Sequence, residues 1–207
     1  MLPPLVCARC GGPVHAPGLM SSRWRCDHDG DTEPLQLRAP VVGGALEQVG
    51  DASGVPVWVP WPPPIGWTLG GLGTVGDDRG PLRAALTAWC GPSPLGGAAD
   101  LLLVAEEPGI GLGSRYAGLA GLDAGGCVSG VPHAKVEVGG HPVALWACPP
   151  TPEDRAAFVG EAEGCWLWMV LWPARAQLLL LEDLVLRDAR GELVAPQAGA
   201  PCPHLAG

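Results

Sequence analysis

Lysine is almost absent from this 207-residue chain: Lys135 stands alone beside eleven arginines. Phenylalanine and tyrosine occur once each, so nine tryptophans supply nearly all the aromatic surface. Charged residues make up only 16% of the sequence against 47% hydrophobic, which excludes a solvated, disordered chain and supports a sizeable core. The net charge is −9. Phosphate backbones are held by clustered Lys and Arg, so nucleic acid is not an expected partner. No basic region or apolar run precedes Cys7, so a signal peptide is not expected, and the expected location is the reducing cytoplasm. No catalytic signature is complete. The expected function is a noncatalytic binding or scaffold role, with a protein or small molecule of unknown identity as partner. An enzyme or anion-binding protein and a zinc-thiol redox sensor are the alternatives.

What the chain does have is a cysteine motif. Cys7-Ala8-Arg9-Cys10-Gly11-Gly12 is followed by Trp24-Arg25-Cys26-Asp27-His28-Asp29-Gly30. Two cysteines separated by two residues can turn both sulfurs inward from one tight turn, and the glycines let the backbone curl behind them. Cys26 is the third ligand of a structural zinc site, one ion per chain. The fourth is open between His28, Asp29 and His15. His28 is the expected one, because carboxylates are uncommon in structural zinc sites. Free thiols or a Cys7–Cys10 redox disulfide are the competing readings, the second disfavoured because no βαβ pattern surrounds the motif. The other five cysteines (Cys90, Cys127, Cys148, Cys165 and Cys202) lie mostly in apolar surroundings and are expected to be free, acting as small hydrophobes. Residues 1–38 carry four Arg against three Asp and one Glu, so the metal module is electrically neutral.

The expected fold class is α+β and mostly β. A small zinc-ribbon-like module (1–38) and a linker (39–54) precede a largely antiparallel sheet or sandwich (55–195) with one or two short helices. Residues 196–207 are expected to be a flexible tail. The proline-rich stretch 55–67 carries Trp58, Trp61 and Trp67 and is extended, either sealing the core edge or forming an aromatic platform. Strands are expected at 68–75, 82–90, 100–106, 165–172, 178–181 and 184–187. A hairpin turns at Gly139-Gly140, and His133 and His141 on either side of it are a weak metal pair. Thr151-Pro152-Glu153-Asp154 has the chemistry of a helix start, which predicts a helix over 151–163. A hydropathy window over 165–181 resembles a membrane helix, but Pro173 and Arg175 turn it into strand–turn–strand, so no membrane is expected.

The strand ending at Glu106 runs into the glycine-rich stretch 107–118. Its spacing matches neither a dinucleotide fingerprint nor a P-loop. Gly109, Gly111 and Gly113 nevertheless expose amides that can meet an anion, and Arg115 adds a charged fork. His133 and Lys135 are further groups that would close such a site. A plain loop between strands is the competing reading.

Several short motifs carry a family resemblance over most of the chain. They are Cys7-Ala8-Arg9-Cys10-Gly11, Pro17-Gly18, Trp24-Arg25-Cys26, Pro60-Trp61-Pro62, Gly76-Asp77-Asp78-Arg79, Ala105-Glu106-Glu107-Pro108-Gly109, Arg115-Tyr116-Ala117-Gly118 and Pro132-His133-Ala134-Lys135. With them the chain resembles an uncharacterised actinobacterial family, a domain of unknown function with an N-terminal zinc-ribbon-like Cys motif. That family's pattern has a histidine three residues after the last cysteine. Here Asp29 fills that slot and His28 precedes it. The resemblance implies a fold and a metal, and carries no activity.

Overall fold

The computed structural model describes residues 4–19, 21–121, 124–149, 151–191 and 195–206. Residues 1–3, which belong to the signal-peptide reading, lie outside them. The chain begins with β1 (Val6–Cys7), β2 (Val14–His15), β3 (Arg25–Cys26), β4 (Gly30–Asp31) and β5 (Pro34–Arg38). Next come α1 (Ala45–Ala52), β6 (Trp58–Pro60), β7 (Thr68–Val75), β8 (Ala84–Pro92), β9 (Ala98–Glu106) and α2 (Leu112–Ala117). The second half holds β10 (Ala134–Val138), β11 (His141–Ala147), β12 (Ala156–Ala162), β13 (Cys165–Trp172) and β14 (Val185–Asp188), with short 3-10 turns.

Eleven strands form one sheet in the order β1-β5-β7-β8-β9-β13-β12-β11-β10-β14-β6, and β2-β3-β4 form a second, three-stranded sheet. All pairings are antiparallel except β10 with β14. The protein is thus mostly β, with a large antiparallel sheet and few short helices. The sheet curls, because β6 at its far edge packs back over β8 and β9, where Thr87 Oγ1 donates to the Trp58 carbonyl at 2.7 Å. Strands at the middle are buried on both faces, so they read as continuous apolar runs rather than alternations. In β9 and β13, Leu101, Leu103, Leu167, Met169 and Leu171 face the enclosed side. Leu102, Val104, Trp168, Val170 and Trp172 face the other, under α2 and the C-terminal segment. Trp58 and Trp67 are buried and Trp61 packs beside them, so the tryptophans of the proline-rich stretch seal the core.

Four expectations are corrected. The helix over 151–163 is instead β12, with a tight turn at Glu163-Gly164 leading into β13. Good capping residues do not suffice where the following Ala-Ala-Phe-Val run is buried between two sheet neighbours. The segment 178–181 belongs to the 3-10 turns of Ala174–Leu181, where Ala176, Leu179 and Leu180 put helical spacing toward the core. Within the stretch expected to be module and linker, β1 and β5 pair into the large sheet and α1 packs on its core. The tail is docked: Leu205 is buried, the Tyr116 hydroxyl donates to its carbonyl at 2.6 Å, and Cys202 forms a disulfide with Cys90. Those two cysteines are therefore not free thiols. No described helix is long and apolar enough to cross a membrane.

Trp168 lies at the centre of the sheet, fully buried beneath α2. Trp168→Ala is expected to lower unfolding stability by about 3–5 kcal/mol, as truncating a large core aromatic does. Urea denaturation monitored by circular dichroism checks this, and a loss below about 1 kcal/mol would contradict the packing described.

Candidate metal centre

Two short loops with one frame build the centre. In the first, Cys7-Ala8-Arg9-Cys10-Gly11, the Arg9 N–H donates to Cys7 Sγ at 3.4 Å, and Gly11 takes φ +74° while its N–H returns to the Cys7 carbonyl at 2.9 Å. In the second, Cys26-Asp27-His28-Asp29-Gly30, the N–H groups of Asp29 and His28 donate to the Cys26 sulfur, and Gly30 takes φ +69°. The positive φ lets each chain fold back behind its ligands, which a residue with a Cβ does at a cost. Asp29 occupies in the second loop the place that Cys10 occupies in the first.

The ligand atoms of Cys7, Cys10, Cys26 and Asp29 all lie within 4.8 Å of one another, so the four could hold a metal ion. Asp29 Oδ2 stands 3.3 Å from Cys7 Sγ and 3.6 Å from Cys26 Sγ, and Cys10 Sγ lies 3.5 Å from Cys26 Sγ. His28 is not in the set. Its exposed ring touches Asp29 Oδ1 at 3.2 Å from outside, so it reaches the ligand rather than the centre. The physical reason is the turn: the third residue after Cys26 points inward, as Cys10 does after Cys7, and the second does not. His15 is elsewhere, paired with Asp27.

The electrostatics suit a cation. The hydrogen bond from the Cys10 thiol, with those from Cys7, His28 and Cys26, pulls the Asp29 carboxyl down to about 2 despite partial burial. Burial and the Asp29 hydrogen bond push the Cys10 thiol up to about 12. Burial also pushes Cys26 up, but the Asp29 and His28 amides and the neighbouring thiols outweigh it and lower the thiol. Metal uptake at such a cluster displaces the remaining thiol protons.

Cys7 lies on β1 of the large sheet, and Cys26 on β3 of the small one, so the four residues join two sheets. Side chains of the body reinforce the join. Trp24 Nε1 donates to Asp77 Oδ2 at 2.8 Å, and Arg79 donates to Asp77 and to the Ser22 carbonyl. Arg9 reaches the carbonyls of Gly109 at 3.0 Å, Ile110 at 3.3 Å and Asp31 at 3.3 Å.

The glycine-rich loop therefore serves a different role from an anion cradle. The N–H groups of Leu112 and Gly113 donate to Glu106 Oε2 at 2.7 and 3.3 Å, so the acceptor they meet is a carboxyl group of the chain itself. Gly109 offers its carbonyl to Arg9 rather than an amide to a ligand. Gly111 starts α2 with φ +86°, and any side chain at Gly113 would run into the Trp168 ring. Arg115 lies 5.3 Å over the Tyr116 ring and donates to the Cys7 carbonyl at 3.5 Å. Residues expected to form a second site are thus supports of the first. His133 lines a separate cavity, and Lys135 lies on β10, three strands from β13, against which the helix of Arg115 packs. His133 and His141 stand at opposite ends of the hairpin, since His141 pairs with Val138 and His133 bonds the amide of Ala147.

Glu106 is 1% exposed, and burial lifts its carboxyl from an ordinary 4.5 to about 7, against the downward pull of the Gly113 and Leu112 amides. A raised acid favours the protonated folded state. Its contribution is fully present below pH 4.5 and is lost as pH rises through about 7. Glu106→Gln is expected to flatten the fall in unfolding stability between pH 5 and 8 by up to about 3 kcal/mol relative to wild type. Paired denaturation curves at the two pH values check this, and parallel pH profiles would refute it.

No curated protein and no solved structure matches the chain. A family model described as a family of unknown function, DUF6758, matches residues 1–205, nearly the whole length, and the chain belongs to that family.

Proposed function

We propose that this is a noncatalytic binding or scaffold protein, acting in the cytoplasm, whose Cys7, Cys10, Cys26 and Asp29 hold one structural zinc ion. The observation that carries the zinc reading is the spacing of the four ligand atoms. A tetrahedral zinc with zinc–sulfur bonds of about 2.3 Å and zinc–oxygen bonds of about 2.0 Å has sulfur–oxygen edges near 3.5 Å and sulfur–sulfur edges near 3.8 Å. The observed contacts of 3.3, 3.6 and 3.5 Å lie close to those edges. Four protein ligands close the coordination shell, and a closed shell serves folding rather than chemistry. Amides donating to Cys7 and Cys26, with Thr32 Oγ1 3.3 Å from Cys7 Sγ, fix the sulfur orientations before metal arrives. The ion would then staple the three-stranded sheet to the edge of the large one. The outer surface so displayed is where a protein or small-molecule partner is proposed to bind.

Metal analysis of freshly purified protein is expected to give one zinc per chain. Asp29→Ala should release it at chelator concentrations that wild type resists, with affinity lost about 10-fold or more. His28→Ala should keep one zinc per chain with a smaller loss of affinity than Asp29→Ala, because it removes only an outer contact to the carboxylate, and Asp29→Cys should keep the zinc. A folded wild-type protein free of zinc, or equal losses in the Asp29 and His28 variants, would overturn the assignment.

The −9 charge also predicts the partner class. Binding to random DNA or RNA near physiological salt should be negligible, and submicromolar, salt-sensitive binding in a fluorescence anisotropy titration would contradict it.

A further inference from the structure

We propose that Cys127 and Cys148 form a redox-active dithiol that exchanges with low-molecular-weight disulfides entering the cavity they line. The cavity measures about 650 Å³, and its wall includes both cysteines, His133, Thr151, Arg155 and Phe158. That volume lies within the range of small-molecule sites. Cys127 follows a 3-10 turn, Ala124–Gly126, and Cys148 follows β11, so two distant segments bring both thiols to the wall of one cavity. Both are free thiols, separate from the metal cluster and from the Cys90–Cys202 disulfide.

The two differ in a way that assigns roles. Cys127 is half-buried and Cys148 is buried. Burial first, and the Cys127 contact second, push the Cys148 thiol far up, so it stays protonated. Cys127 is the more accessible sulfur on the cavity wall, so it is the one an entering disulfide reaches first and is the attacking group. Cys127 thiolate attacks one sulfur of the incoming disulfide RSSR. That S–S bond breaks, a mixed Cys127–S–SR bond forms, and RS⁻ leaves and takes up a proton. Cys148 gives up its proton to solvent and attacks the Cys127 sulfur, forming the Cys127–Cys148 bond and expelling the second RS⁻. Two protein thiols are oxidised, one RSSR is reduced to two RSH, and the protons balance. His133 accepts the Ala147 N–H through Nδ1 at 3.2 Å, which leaves its ring proton on Nε2 as a donor within the same cavity.

The test uses full-length protein in its metal-loaded form and glutathione disulfide as probe, read by peptide mass spectrometry. Wild type is expected to yield a crosslinked Cys127–Cys148 peptide pair. Cys148→Ser should accumulate the mixed disulfide at Cys127, and Cys127→Ser should leave Cys148 unmodified. Cys165, a buried free thiol on β13, is the internal control and should react at least about 10-fold more slowly than Cys127. Wild-type protein that keeps Cys127 and Cys148 as thiols, or labels Cys127 no faster than Cys165, would overturn the proposal whatever the variants do.

Discussion

One face of β9 carries a buried carboxylate near each end, and each anchors one terminal part of the chain. Asp100, 5% exposed, lies 2.6 Å from His204 Nδ1 and so holds the C-terminal segment, whose imidazole also stacks on Trp172 at 4.7 Å. Glu106, six residues on and about 20 Å away along the strand, accepts the first amides of α2. Residues 100 and 106 share a face because side chains alternate along a strand. A charge or polar acid buried in a sheet is costly unless hydrogen bonds meet it, so these two positions fix where the covering segments must lie. The aliphatic residues between them, Leu102 and Val104, supply burial but no direction.

The candidate metal centre depends on the Glu106 end of that strand. Glu106 fixes Leu112 and Gly113, α2 follows, and Arg115 from α2 reaches the carbonyl of Cys7. The carbonyls of Gly109 and Ile110, between Glu106 and α2, receive Arg9 from the middle of the first cysteine loop. A loop rich in glycine and followed by arginine therefore has two chemical outcomes from one sequence. Its amides and its cation can meet an external anion, or they can be spent inside the protein. What decides is whether a carboxylate of the chain already stands at the amides, and Glu106 does.

Much of the sheet was legible because central strands announce themselves. Residues 165–172 are read from their apolar run and correspond to β13, residues 68–75 are read as a strand before the turn at 76–80 and correspond to β7, and the Gly139-Gly140 turn marks the β10–β11 hairpin. The misread elements are those in which local chemistry and tertiary burial disagree. Thr151 to Asp154 are good helix-starting residues, yet the chain enters a strand because β13 and β11 are there to pair with it. The docked tail was illegible for a similar reason. Cys202, His204 and Leu205 are too few to show periodicity, and their partners Cys90, Asp100 and Tyr116 lie about a hundred residues upstream. The place of Asp29 in the cluster was legible in one respect that chemical preference obscured. Cys7-x-x-Cys10-Gly11 and Cys26-x-x-Asp29-Gly30 share spacing and a glycine in the same place, and that frame outweighs the rarity of carboxylate ligands.

The two ends of β9 also separate two kinds of chemistry. At the Asp100 end, the C-terminal segment is held by a hydrogen bond to the carboxylate, a ring stack and a disulfide, all within the body of the sheet. At the Glu106 end, the N-terminal segment is held by arginine–carbonyl bonds and by four side chains shared between two sheets. The three-stranded sheet has strands of only two residues each, which cannot bury a core of their own. Its shape must come from the ligand cluster and from docking through Trp24, Asp77 and Arg79. The large sheet has no such dependence, because its central strands β7, β8, β9, β12 and β13 are long and largely buried. A metal ion at this position would therefore govern the order of the small sheet and the surface it presents, while the core around Trp168 persisted without it.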